Sequence, residues 1–118
     1  MNPMLTKYAH LLVHYCLEIQ EGDKLLLRST TLAEPLVREV YREALRAGAI
    51  VETALDFREQ NRLFLTLAGE EALDFISPLF RQAMDTFDAY LYIRAPHNLR
   101  EEKNVDPERR KRRQAALR

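Results

Sequence analysis

The chain has 118 residues, 47% hydrophobic and 31% charged, with three glycines and five prolines; this fits one soluble globular domain with a single core and excludes a collagen-like or disordered chain. Basic and acidic residues balance at 18 each, so overall charge calls for neither nucleic acid nor a membrane surface as partner. The one cysteine, Cys16, excludes an internal disulfide and suits a reducing compartment. No stretch of about 18 apolar residues occurs, and the opening "MNPMLTKYAHLLVHYCLEIQ" lacks the basic start and unbroken apolar run of a signal peptide, so a cytoplasmic protein is expected.

In chain order, Met4, Leu5, Tyr8, Leu11, Leu12, Tyr15, Cys16 and Ile19 fall on one side of a helical wheel and predict an amphipathic first helix. Asn2 and Pro3 supply its cap and first helical residue, and "EGD" at 21–23 its end. "KLLLR" at 24–28 predicts a strand buried on both faces. Leu36, Val37, Val40, Tyr41, Ala44 and Leu45 then keep helical spacing up to Gly48, with Glu34–Arg38, Glu39–Arg42 and Glu43–Arg46 as outer ion pairs. The start of that helix is contested, because Thr31 with Glu34 matches a capping box while Pro35 favours the first helical position.

"AIVETALDF" at 49–57 and "AYLYIR" at 89–94 predict strands two and three, from β-branched content and from alternation of tyrosine with aliphatic residues. Between them two or three short helices are expected, broken at Gly69 and Pro78. "DPERRKRRQAALR" at 106–118 begins with a helix-start signal and remains helix-forming to its last residue. Helices between consecutive strands require parallel pairing through right-handed crossovers. The expected fold is therefore a small three-layer α/β domain over residues 1–118, with a mostly parallel three-stranded sheet in the order 2-1-3, flanked by helices.

Ligands of parallel sheets bind where strand carboxyl ends open onto loops, which selects Ser29, Thr30 and Thr31, then Asp56 and Arg58, then Pro96, His97 and Asn98. No glycine-rich phosphate loop accompanies them. His10 and His14 have metal-chelating spacing in "HLLVH", but the wheel places both opposite the apolar face, the metalloprotease glutamate is missing and no third ligand lies nearby in sequence. Cys16 sits at the edge of the face expected to be buried, where it would act as inert packing. Residues 100–118 carry eight basic against four acidic side chains, and the run "RRKRR" is either a solvated or intramolecularly paired helix face or a phosphate-binding one. No internal repeat and no self-contained catalytic or metal site is evident from these residues.

Read together, "LLVHYCLEIQEGDKLLLRSTTLAEPLVREVYREALRAGAIVE", "MDTFDAYLYIRAPHN" and "VDPERR" resemble the N-terminal region of the thermophilic-type metallo-aminopeptidases, the family of aminopeptidases T and S. The carrying residues are Gly22-Asp23, Ala33 to Arg38, Ala47 to Ala49, Asp88 to Tyr90, and Ala95, Pro96 and Asn98. The resemblance implies a homodimeric enzyme that releases N-terminal residues from peptides with a divalent metal pair, cobalt, zinc or magnesium. It also implies that the metal ligands lie in a C-terminal portion that these 118 residues do not reach. The expectation is thus a non-catalytic N-terminal domain, or a truncated form, with no cofactor of its own and with the missing catalytic half and a second copy as partners. The competing expectation is a stand-alone binding module. It would hold a small anion through Ser29, Thr30, Thr31, His97 and Asn98, or, less favoured, nucleic acid through the basic tail.

Overall fold

The computed structural model describes residues 2–95 and 104–118. Helix α1 (Pro3–Leu11) begins as its sequence requires: Asn2 Oδ1 accepts from the Met4 N–H at 2.9 Å, and Pro3 occupies the first turn, where its missing N–H costs nothing. It does not run on to residue 21. Leu12–Cys16 form a π-helical turn, in which the Leu17 N–H reaches back to the Leu12 carbonyl at 2.9 Å. Strand β1 (Lys24–Thr30) follows.

The contested start of helix α2 (Glu34–Arg46) resolves into two elements. Thr31–Ala33 make one 3-10 turn, and the α-helix opens at Glu34 with Pro35 in its first turn, so neither signal is violated. Strand β2 (Ile50–Asp56) is followed by three short helices, α3 (Gln60–Leu67), α4 (Glu70–Asp74) and α5 (Pro78–Thr86), then by strand β3 (Ala89–Tyr92) and helix α6 (Pro107–Ala116). The predicted breaks are the observed ones: Gly69 caps α4, and Ser77 caps α5 by accepting from the Leu79 N–H at 3.2 Å, with Pro78 first in the helix.

The sheet has the order β2-β1-β3 with both pairings parallel, as the alternation of helices and strands requires. Period-two alternation sends Leu25 and Leu27 of β1 to one face, beside Val51 and Leu55 of β2 and Ala89 and Leu91 of β3. There they meet Ala9 and Val13 of the first helical segment and Val37, Val40 and Ala44 of α2, and this is the main core. Small residues at Ala9 and Ala44 allow α1 and α2 to lie close together. On the opposite face Leu26 is buried, while Tyr90 and Tyr92 are exposed. A second, smaller core of Leu65, Leu73 and Val105, with Phe64 and Ala68 packed against it, joins α3 and α4 to the segment leading into α6.

The apolar stripe expected to bury α1 is rotated. Met4, Tyr8, Leu11 and Tyr15 are exposed, Met4 at 74% and Tyr15 at 70%, and Cys16 is exposed as well. The buried pair is instead Ala9 and Val13. The segment carries apolar residues around most of its circumference, so a wheel alone does not choose the face, and the wider π turn displaces the residues after Leu11.

Gly48 ends α2 at φ +88°, and a Cβ built there would lie 2.8 Å from Glu21 Cγ and 3.2 Å from Glu21 Cα. Its carbonyl also accepts the Gly22 N–H at 2.9 Å, so the turn before β2 is tied to the one before β1. Gly48→Ala is expected to cost about 1–2 kcal/mol, through the left-handed backbone penalty and the crowding against Glu21. Urea unfolding checks this, since the midpoint should fall while the denaturant slope stays unchanged.

Candidate functional site

The described residues bring one set of metal-type donors together. His10 projects from α1, His14 from the π turn and Glu43 from α2, with one donor atom of each lying within 4.8 Å of the others. Glu43 Oε1 is 3.1 Å from His10 Nδ1 and 2.8 Å from His14 Nε2, and the two imidazole centroids are 4.4 Å apart. With a proton on each of those nitrogens, one carboxylate oxygen accepts from both rings. The hydrogen bond from His14 holds the Glu43 carboxyl below its usual range against the opposing effect of partial burial, and His10 adds to the lowering.

The helical wheel sets both histidines away from the core and Glu43 on the outer side with Arg46; the structure turns all three toward the α1–α2 seam. Glu43 lies three residues after Val40 and directly before Ala44, on the rim of the buried stripe of α2. That position is the only signal in the sequence that could have found it, since the partners are separated by 29 and 33 residues. The other two pairs form, Glu34–Arg38 at 3.5 Å on the outer side as expected and Glu39–Arg42 at 3.9 Å, but Glu39 is buried rather than on the outer side.

A second feature lies at the carboxyl end of the sheet, where Arg28 and Asp56 line a cleft of about 750 Å³ with Gln60, Phe80, Arg110 and Arg113. Arg28 is fixed within it. Its Nη1 donates to the Tyr90 hydroxyl at 2.9 Å, and its guanidinium lies 3.9 Å from the Phe80 ring centroid. Ser29, buried, donates to the Ile93 carbonyl at 2.8 Å, and Thr30 donates to the Ala95 carbonyl. Both hydroxyls fasten the chain that continues β3. Thr31 opens the 3-10 turn and is exposed. Pro96, His97 and Asn98 lie outside the described residues.

The basic run is largely directed inward. Arg109 Nε donates to the Leu65 carbonyl at 2.6 Å and its Nη2 to that of Ala68, so it caps the C-terminal end of α3. Arg113 donates to the Leu73 carbonyl at 3.1 Å and also to that of Phe75, at the end of α4. Arg112 makes a bidentate pair with Asp74 at 2.8 and 2.7 Å, which lowers the Asp74 carboxyl and raises the guanidinium. Three of the five residues of "RRKRR" thus hold α6 against α3 and α4.

A parallel three-stranded sheet with α1 and α2 packed on one face and a cleft at its carboxyl end defines a small α/β domain. The family model for thermophilic metalloproteases (M29) matches residues 1–118, and the chain belongs to that family. The structure is similar to that of wild-type AmpT from Thermus thermophilus, with a TM-score of 0.81 and 26% sequence identity over 95% of this chain. The chain spans 29% of the length of that structure. No curated protein matches it.

Membership of a metalloprotease family implies metal use. A hydrolytic pair of ions needs ligands that hold two metals about 3.5–4 Å apart. The one converging group of donors among the described residues contains a single carboxylate and two imidazoles. It does not fit a metal pair, and no hydrolytic step follows from it. Among the described residues no helix is long and apolar enough to cross a membrane.

Proposed function

We propose that residues 1–118 act as a non-catalytic N-terminal domain of a metal-dependent aminopeptidase, a cytoplasmic homo-oligomer that releases N-terminal residues from peptides. In this role the domain contributes scaffold, substrate access or subunit contacts, and the hydrolytic metals are held elsewhere in the enzyme. The observation that carries the reading is the surface. Met4, Tyr8, Leu11 and Tyr15 along the first helical segment, and Phe75, Ile76, Leu79 and Met84 around α4 and α5, are large apolar side chains left open to solvent.

Large apolar side chains grouped on the surface of a domain commonly mark where another surface covers it. Membership of the metalloprotease family and the fraction of AmpT that the chain spans both favour a larger enzyme as that cover. Hydrolysis of a leucine anilide by the purified 118-residue chain tests the proposal. The expected rate is that of buffer, with or without added cobalt, zinc or magnesium; turnover by these residues alone would overturn it.

A further inference from the structure

We propose that His10, His14 and Glu43 bind one divalent transition-metal ion of the zinc type, which ties α1 to α2 and takes no part in peptide hydrolysis. Two imidazoles and a carboxylate are the donor types that zinc, cobalt, nickel and copper select, whereas calcium and magnesium require oxygen-rich shells. The separations suit such an ion. A tetrahedral shell with bonds of about 2.0–2.1 Å sets its donors about 3.3 Å apart. Here the carboxylate oxygen stands 3.1 and 2.8 Å from the two nitrogens, and the third separation is no more than 4.8 Å.

Closing that third edge needs a movement of about 1.5 Å at most. The His10 side chain, 57% exposed, can supply it, whereas Glu43, at 17%, is held at the helix seam. The site is therefore half organised before the ion arrives. Each imidazole must present a lone pair to the metal, so the proton on His10 Nδ1 moves to Nε2 and the proton on His14 Nε2 moves to Nδ1, both by exchange with water. A ring that was doubly protonated releases one proton to solvent. A water ligand would complete the four-coordinate shell. The π turn contributes directly, because it sets His14 so that its Nε2, as well as Nδ1 of His10, reaches the same carboxylate oxygen.

The test is calorimetric titration of zinc chloride into the 118-residue chain, with cobalt substitution as a spectroscopic probe. One equivalent is expected to bind at about 0.1 mM zinc or below and to raise the melting temperature, as mass action requires of an ion held only by the folded state. Cobalt should show the visible bands of a four-coordinate nitrogen and oxygen shell. Glu43→Gln and His14→Ala should each weaken binding about tenfold or more, and His10→Asn, the mildest change, should weaken it too. Cys16→Ser should bind as the parent does. The proposal is overturned by no stoichiometric binding in that range, by binding unchanged in Glu43→Gln and His14→Ala, or by loss in Cys16→Ser. Because cobalt spectra of the parent report the shell directly, a variant that failed to fold would not leave the question open.

Discussion

Leu27→Asp is expected to abolish cooperative unfolding. Leu27 is fully buried at the centre of the middle strand, paired in register with Thr53 on one side and Leu91 on the other, and it faces the cluster formed by Val13, Val37 and Val40. Val13, Val37, Val40 and Leu91 offer no donor and Thr53 only a neutral hydroxyl, so an aspartate there either stays charged without an ionic partner or takes up a proton. Either outcome costs several kcal/mol, a large part of the roughly 5–15 kcal/mol that holds a domain folded. Leu27→Ala, which only opens a cavity, is expected to cost about 2–5 kcal/mol. Circular dichroism with urea checks both. An aspartate variant with a transition as sharp as the parent's would show that the sheet is not where the main core sits.

Arg113→Leu is expected to loosen one part of the molecule and leave the other unchanged. The guanidinium serves the carbonyls of Leu73 and Phe75 and lies 4.8 Å from the Phe64 ring centroid, so one side chain joins α6 to both α3 and α4. Hydrogen bonds to a charged donor contribute about 1.5–3 kcal/mol when well shielded. A total loss of about 2 kcal/mol is expected here, since the group is half-buried. Hydrogen exchange is the suitable measurement, because opening free energies differ between parts of a fold. Amides of α3, α4 and α6 should exchange faster while those of β1 keep their protection. Arg113→Lys should recover little, because an ammonium lacks the planar fork that reaches two carbonyls. Unchanged exchange in α4 would remove the structural role assigned to the basic run.

The framework was legible because each of its signals is local. "KLLLR", "AIVETALDF" and "AYLYIR" differ from their surroundings in composition and periodicity, and helices between them leave parallel pairing as the sterically reasonable choice. Asn2-Pro3, Gly48, Gly69, Ser77-Pro78 and Asp106-Pro107 all mark element ends where the structure has them, because capping is settled within four residues of chain.

What failed was non-local. The face that α1 buries depends on what α2 presents to it, and a segment apolar on most sides gives a wheel no way to choose between Tyr8 and Ala9. Glu43 looked like half of an ordinary surface pair with Arg46 because its true partners stand on another helix. The arginines of α6 looked like a charge run because nothing in "RRKRR" indicates that helix ends with open carbonyls lie opposite. In each case the missing information was the identity of a neighbour, which the fold supplies and the chain order conceals.

We propose that these residues carry scaffold and one structural ion, while peptide hydrolysis resides elsewhere in the enzyme. The most direct measurement is cobalt titration of the purified chain with leucine-anilide hydrolysis followed in the same sample and a chelator added at the end. One equivalent of cobalt is expected to bind, with hydrolysis no faster than in buffer. Chelator-sensitive turnover that disappears in Glu43→Gln would contradict it, because the peptidase centre would then lie at the α1–α2 seam.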